Sequence, residues 1–183
     1  MKFFIIHGSY GNPNENWFPW LKLKLEERGQ IVHIPKFPTP INQNLNNWME
    51  VFNEYFNKID EETIFIGHSL GPSFILSILE QITVKVKACF FIAGFFGNIN
   101  NSEFDRINKT FTTKKFDWEK IKNNCNKFYI YHSNNDPYVP LEKSKDLGNK
   151  LDVDIKLIEG AGHFNSEAGY DKFELLLQDI NEI

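Results

Sequence analysis

Cysteine is scarce in this chain of 183 residues, which contains only Cys89 and Cys125. Two cysteines are too few for a disulfide scaffold, and Cys89 lies in an apolar run where a reduced, buried thiol is expected. The apolar start of the chain, Met1–Ile6, is interrupted by His7 and Gly8, too soon for the hydrophobic region of a signal peptide. We therefore expect a protein of the cytoplasm.

The sequence also lacks an excess of positive charge and a long hydrophobic run. Its 20 lysine and arginine residues against 24 aspartate and glutamate residues give a net charge of −4, which disfavours nucleic acid as a partner. The apolar stretch Ala88–Phe96 is far shorter than the about 20 residues that span a bilayer, so a membrane is not expected either. No repeat, low-complexity tract or linker divides the sequence, and its length suits one domain over residues 1–183.

What the sequence does contain is an alternation of short apolar runs with stretches of helical periodicity, the pattern of βαβ units. It predicts an α/β fold with a doubly wound, mostly parallel six-stranded sheet and helices on both faces. The clearest helical stripe runs from Leu45 to Ile59, and two more begin at Leu70 and Tyr170. The predicted strands are Lys2–Ile6, Ile31–Ile34, Thr63–Gly67, Ala88–Ala93, Lys127–Tyr131 and Asp154–Ile158.

One segment, Phe95–Asn126, departs from this alternation. It has no clean periodicity and carries many lysines, which is typical of a solvated surface excursion. Such a segment also suits a partial cover over a binding site, and the sequence leaves both interpretations open.

The third predicted strand leads directly into Gly67-His68-Ser69-Leu70-Gly71, a G-x-S-x-G motif followed by a helical stripe. This is the context of a nucleophile elbow, in which a serine occupies a strained turn at a helix N-terminus. The positive end of the helix and the free N–H of Leu70 would stabilise an oxyanion. A serine after a strand is also a common helix cap, so the motif needs partners before it indicates catalysis.

Those partners are a base and a group that orients the base. His163 follows the sixth predicted strand in a glycine-flanked loop, whereas His33, His68 and His132 are expected to be packed or surface residues. Asp136 follows the fifth strand, where an Asp-Pro pair can also cap a turn. The order Ser69, Asp136, His163 is nevertheless that of an α/β-hydrolase triad, so we expect these three residues to be catalytic.

The loop after the first strand, residues 7–11, is expected to supply the second oxyanion donor. We assign this role to the backbone N–H of Ser9, with that of Tyr10 as the alternative. The wall of the acyl pocket is expected to include Tyr10, Phe95 and Phe96. The nearby aromatic residues of 17–20 are interpreted as core packing, with a ligand platform as the alternative.

Five segments together resemble the small serine hydrolases related to retinoblastoma-binding protein nine, and they extend over nearly the whole chain. The resemblance implies a minimal α/β-hydrolase fold without a large lid domain, a triad of Ser69, His163 and Asp136, and hydrolysis of ester or similar acyl bonds. The pocket-protein motif L-x-C-x-E is absent around both cysteines, so binding to a pocket protein is not supported. The segments are His7-Gly8 with Gly11, Trp17–Leu21, Gly67–Gly71, Asp136–Pro140 and Gly160–Phe164.

Neither a cofactor nor a metal is expected. Gly160-Ala161-Gly162 lacks the third glycine and the βαβ context of a dinucleotide fingerprint, and no G-K-[S/T] sequence is present to form a phosphate-binding loop. The histidines have neither H-x-x-H nor H-E-x-x-H spacing, which argues against a zinc site.

The sequence therefore predicts a soluble serine hydrolase that cleaves a small-molecule acyl ester through an acyl-enzyme. Cleavage of thioester, amide or peptide bonds would use the same machinery. The alternative is a protein-binding or scaffold module that keeps the hydrolase fold with little turnover. Because the chain leaves no room for a lid domain, we expect a shallow site and short acyl substrates.

Overall fold

The computed structural model describes residues 1–183 and contains one six-stranded sheet with the strand order β2-β1-β3-β4-β5-β6. Every neighbouring pair of strands is parallel, which confirms the predicted doubly wound α/β fold. The predicted strand bounds differ from the observed ones by no more than two residues at any end. The strands are β1 Lys2–Ile6, β2 Ile31–His33, β3 Thr63–His68, β4 Ala88–Ile92, β5 Phe128–Ser133 and β6 Ile155–Ile158.

Seven α-helices and two short 3₁₀ helices connect or follow these strands. None of the helices combines the length and the apolar character that crossing a membrane requires. The α-helices are α1 Phe18–Glu26, α2 Leu45–Phe52, α3 Gly71–Leu79, α4 Ser102–Thr112, α5 Trp118–Asn123, α6 Leu141–Leu151 and α7 Glu174–Asn181, and the 3₁₀ helices are Asn53–Lys58 and Ser166–Ala168.

The sheet separates two hydrophobic cores, because successive side chains of a strand point to opposite faces. In β1, Phe3 and Ile5 belong to the core that α1 and α7 cover, whereas Phe4 and Ile6 belong to the core under α2 to α6. All four side chains are fully buried, as in a parallel sheet that is covered on both faces.

The apolar stripe that starts at Leu45 is divided between two kinds of helix. The α-helix ends at Phe52, and the tighter 3₁₀ turns of Asn53–Lys58 present Tyr55 and Phe56 to the same core. The stripe therefore buries its apolar residues as predicted, although its second half is not α-helical.

The segment Phe95–Asn126 forms α4 and α5, which lie on the α3 side of the sheet. Asn101 caps α4 by accepting hydrogen bonds from the backbone N–H groups of Glu103 and Phe104. The buried face of α4 combines Phe111 with polar residues such as Asn108, which explains why a hydrophobic pattern alone does not reveal this helix.

Candidate active site

A cavity of about 340 Å³ lies beyond the carboxyl ends of the strands, where ligands bind in doubly wound sheets. Ser69 and His163 both line it, together with residues from the loop after β1 and from the segment that follows β4. The lining residues are Gly8, Ser9, Tyr10, Gly11, Glu15, Asn16, His68, Ser69, Phe95, Ile99, Phe104, Asn108, Tyr138, Val139, His163, Asn165, Ser166 and Glu167.

Ser69 occupies a left-handed turn between β3 and α3, with φ of 59°. Its N–H donates to the carbonyl of Ile92 over 2.9 Å, which fixes the turn against the neighbouring strand. The turn is tight, since a Cβ atom at Gly71 would lie only 2.4 Å from the carbonyl oxygen of Ile6. The Ser69 hydroxyl has no hydrogen-bond partner in the protein and is left free to face the cavity. This is the local geometry of a nucleophile elbow.

His163 and Asp136 are joined by a hydrogen bond of 2.8 Å from imidazole Nδ1 to carboxylate Oδ2. Both side chains are buried, at 9% and 1% exposure. The other carboxylate oxygen accepts the backbone N–H groups of Tyr138 and Val139 over 2.8 and 3.0 Å. Burial alone would raise the pKa of Asp136, but the imidazole and these two N–H groups outweigh it and lower that pKa. A charged carboxylate on Nδ1 leaves Nε2 of a neutral ring free to accept a proton.

His68 supports the loop that carries His163. Its Nε2 lies 2.7 Å from the carbonyl oxygen of His163, and the two rings are 4.8 Å apart. Burial lowers the pKa of His68 to about 3, so the ring is neutral at physiological pH and donates through Nε2. His68 is buried, as a packed histidine should be, but the sequence analysis does not predict its contact with the His163 loop. The alternation of side chains in β3 indicates on which face of the sheet His68 lies, because it shares that face with Ile64 and Ile66.

The aromatic residues at the start of α1 pack beside the same loop. Trp17 and Phe18 are fully buried, and the Trp17 Nε1–H donates to the carbonyl of Phe164 over 3.0 Å. Both rings contact the His68 imidazole edge-on. Neither residue lines the cavity, so the core-packing interpretation describes them and the ligand-platform alternative does not.

The backbone N–H groups of Leu70 and Ser9 have no acceptor within the protein. The N–H of Tyr10, the alternative donor, is occupied by the hydroxyl of Thr39 at 2.6 Å. The loop that carries Ser9 lies directly against the elbow, because a Cβ atom at Gly8 would lie 2.7 Å from the Ser69 Cβ. Of the two candidates for the second oxyanion donor, Ser9 is thus the one that is free.

Two of the three residues expected in the pocket wall line the cavity. Tyr10 and Phe95 line the cavity, but Phe96 does not. The Phe96 ring packs instead on Trp118 at 4.9 Å between centroids, contrary to the expectation from the sequence. The two phenylalanines follow a left-handed turn at Ala93, where φ is 50°.

Helix α4, in the segment that the sequence assigns either to the surface or to a cover, forms one wall of the cavity. The Phe104 ring lies between Tyr10 and Tyr138, at 5.9 and 6.1 Å, and Tyr138 packs edge-on over the His163 ring at 5.0 Å. The Tyr10 hydroxyl also donates to the carboxylate of Glu103. The segment Phe95–Asn126 is therefore both a lysine-bearing surface and a partial cover.

The charge of the cavity lining is negative. Glu15 and Glu167 contribute carboxyl groups, and no lysine or arginine lines the cavity. Burial raises the pKa of Glu15, and a hydrogen bond from Asn12 opposes this effect. No group of three or more His, Cys, Asp or Glu side chains is arranged to hold a metal ion.

The parallel sheet, the strained serine turn after β3 and the paired histidine and aspartate after β6 and β5 define an α/β-hydrolase fold. The family model described as serine hydrolase matches residues 3–182, and the chain therefore belongs to that family. Its relatives include the YdeN protein of Bacillus subtilis, 29% identical over 175 residues, which are 94% of this chain and 90% of YdeN.

A second relative is the serine hydrolase RBBP9 of Rattus norvegicus, 28% identical over 168 residues, which are 90% of this chain and 88% of the relative. Among solved structures, the crystal structure of the ydeN gene product from B. subtilis matches with a TM-score of 0.92 at 27% identity. That match covers 99% of this chain and 97% of the other, so the two proteins share the whole fold.

Proposed function

We propose that this serine hydrolase cleaves small carboxylic esters through an acyl-enzyme, with Ser69, His163 and Asp136 as its triad. The observation that carries the proposal is the buried hydrogen bond of 2.8 Å between His163 and Asp136, at a cavity that the strained Ser69 also lines. A serine hydroxyl is a weak nucleophile without a base, and an oriented imidazole is the base that serine hydrolases use.

In this mechanism the Ser69 Oγ attacks the substrate carbonyl carbon while Nε2 of His163 takes the hydroxyl proton. The N–H groups of Leu70 and Ser9 hold the oxyanion of the tetrahedral intermediate. His163 then returns the proton to the departing alcohol, and an acyl-Ser69 remains. Water attacks the acyl-enzyme with His163 again as base, which releases the carboxylic acid and restores the serine. Asp136 holds the imidazole in one orientation and stabilises its positive charge throughout.

The size of the cavity favours short acyl groups. Its volume of about 340 Å³ is near the lower end of the roughly 300–1,000 Å³ found for small-molecule pockets. Phe104, Ile99 and Phe95 supply apolar walls for an acyl chain of a few carbons. We therefore propose a small-molecule acyl ester as the substrate.

Labelling with a fluorophosphonate probe tests this assignment, because the probe reacts only with an activated serine. The wild type is expected to be labelled and to hydrolyse p-nitrophenyl acetate, and Ser69→Ala is expected to do neither. Ser77→Ala is the matched control, since Ser77 is buried in α3 and its hydroxyl bonds to the Ser73 carbonyl, away from the cavity. A wild type that neither labels nor turns over would favour a binding or scaffold role.

A further inference from the structure

The most deeply buried amide side chain of the cavity wall has no role in the mechanism above. Asn108 on α4 is only 2% exposed, yet it lines the cavity. A buried amide in this position is costly unless both its oxygen and its nitrogen find partners. The partners of the oxygen are present in the protein, and they determine where the nitrogen must point.

The orientation of the amide is set by a hydrogen-bond network that includes two backbone groups. The N–H of Tyr10 donates to the Thr39 hydroxyl, which donates its own proton to Oε1 of Gln43. The carbonyl oxygen of Ile107, which can only accept, lies 3.5 Å from Nε2 of Gln43. This directs Nε2 of Gln43 to Oδ1 of Asn108 at 2.6 Å and to the Ser9 hydroxyl at 2.9 Å. The Ser9 hydroxyl in turn donates to the same Oδ1 over 2.6 Å.

Oδ1 of Asn108 thus accepts two hydrogen bonds, and a flip of the Asn108 amide alone would place its NH₂ group against that of Gln43. Nδ2 of Asn108 is left without a partner in the protein, but it is not fully excluded from solvent. It can only be satisfied from the cavity. The amide is also held next to Ser9, whose backbone N–H has no acceptor in the protein and is the proposed second oxyanion donor.

We infer that Nδ2 of Asn108 is a substrate-binding donor that recognises an uncharged acceptor oxygen close to the scissile carbonyl. This inference rests on the proposed function only for the position of that carbonyl. An anionic acceptor is disfavoured, because the carboxyl groups of Glu15 and Glu167 line the same cavity without a compensating lysine or arginine. The substrates that fit are esters with a second neutral oxygen, such as an alkoxy, hydroxy or carbonyl oxygen.

The test measures binding rather than turnover, in a Ser69→Ala background. Two pairs of ligands differ only by an ether oxygen in place of a methylene: phenyl methoxyacetate against phenyl butyrate, and methoxyethyl acetate against butyl acetate. Dissociation constants come from NMR titration. The oxygen-bearing member of at least one pair is expected to bind about two- to tenfold more tightly, the worth of one hydrogen bond.

Asn108→Asp then distinguishes the loss of the Nδ2 donor from a disruption of the hydrogen-bond network. The aspartate keeps an oxygen for Ser9 and Gln43 and replaces only the NH₂ group. The preference is expected to disappear in this variant, or in Asn108→Ala if the aspartate prevents folding. Thr112→Val is the matched control, as Thr112 is buried one turn further along α4 and its hydroxyl bonds within the helix. It is expected to keep the preference.

The absence of a preference in both pairs would overturn the inference before any change is made at Asn108. A preference that survives Asn108→Asp would overturn it as well. Because binding to the Ser69→Ala protein needs no turnover, an inactive wild type would refute the proposed function and leave this result intact. An active wild type without the preference would do the reverse.

Discussion

The Nε2–H of His68 donates a hydrogen bond to the backbone carbonyl of His163 over 2.7 Å. The residue immediately before the predicted nucleophile thus holds the loop of the predicted base, so the two halves of the proposed triad are positioned through one contact. A hydrogen bond of this kind acts on geometry, because the His68 ring is neutral and buried.

Replacement of His68 by phenylalanine is expected to lower kcat about tenfold with a smaller effect on KM, since a small displacement of the base costs rate rather than affinity. His68→Gln, which can restore a donor, is expected to recover part of the loss. The measurement is kcat and KM for p-nitrophenyl acetate over a range of pH. An unchanged kcat in His68→Phe would show that the contact does not position His163.

Asp136→Asn is expected to reduce kcat by about 10³- to 10⁴-fold, because an amide cannot stabilise the imidazolium and favours the wrong tautomer. Fluorophosphonate labelling should slow in parallel, while the fold is retained by circular dichroism. Asp146→Asn, at an exposed position of α6, serves as the control and should label at the wild-type rate. Equal labelling of Asp136→Asn and the control would remove Asp136 from the triad.

Stability is expected to fall in mildly acidic solution because two buried histidines, His7 and His68, are neutral in the folded protein, and His7 can be tested outside the proposed triad. The N–H of Phe37 donates to Nε2 of His7 over 3.1 Å, which requires that nitrogen to be unprotonated. Burial lowers the pKa of His7 from 6.5 to about 4 in the folded protein. Between these pH values the unfolded chain binds more protons than the folded protein, so the free energy of unfolding rises with pH. The stabilising contribution of neutral His7 is therefore lost as the pH falls towards 4.

The His7 contribution amounts to about 3 kcal/mol at most over that window. Urea denaturation at several pH values measures it. His7→Gln is expected to be less stable at neutral pH but to show a weaker pH dependence, whereas His33→Gln, at the half-buried histidine of β2, should retain most of the dependence. A wild-type stability that is constant over the window would contradict this assignment.

Chain-length preference tests the cavity walls. p-Nitrophenyl acetate and butyrate are expected to be better substrates than the palmitate ester, because the rings of Phe104 and Tyr138 line the cavity beside His163 and limit its length. Phe104→Ala should shift kcat/KM towards longer acyl chains by about tenfold. A wild-type preference for palmitate would refute the inference of short substrates and leave the triad untouched.

The parts of the site that could be predicted are those that depend on local order along the chain. Ser69 could be proposed from the sequence because a strand, a G-x-S-x-G turn and a helix follow one another directly. His163 and Asp136 could be proposed from the sequence because they follow β6 and β5, which are neighbours in a parallel sheet and end at the same edge.

The parts that could not be predicted depend on the path of a segment without periodicity. Asn108 reaches the cavity only because α4 packs over α3, and nothing in its surrounding sequence fixes that packing. The expectation for Phe96 has a similar limit, because the hydrophobic pattern does not show which of two adjacent phenylalanines faces the cavity. In the structure Phe95 lines the cavity and Phe96 packs on Trp118.

The two cores on opposite faces of the sheet carry different halves of the proposed machinery. His68, Trp17 and the His163 loop rest on the α1 and α7 side, whereas Asn108, Gln43 and the Ser9 loop rest on the side of α2 to α6. Heat that loosens only the outer layer around α4 is therefore expected to abolish the proposed esterase activity while the environment of Trp17 stays native. Inactivation and global melting of this enzyme would then be separate events on a temperature ramp.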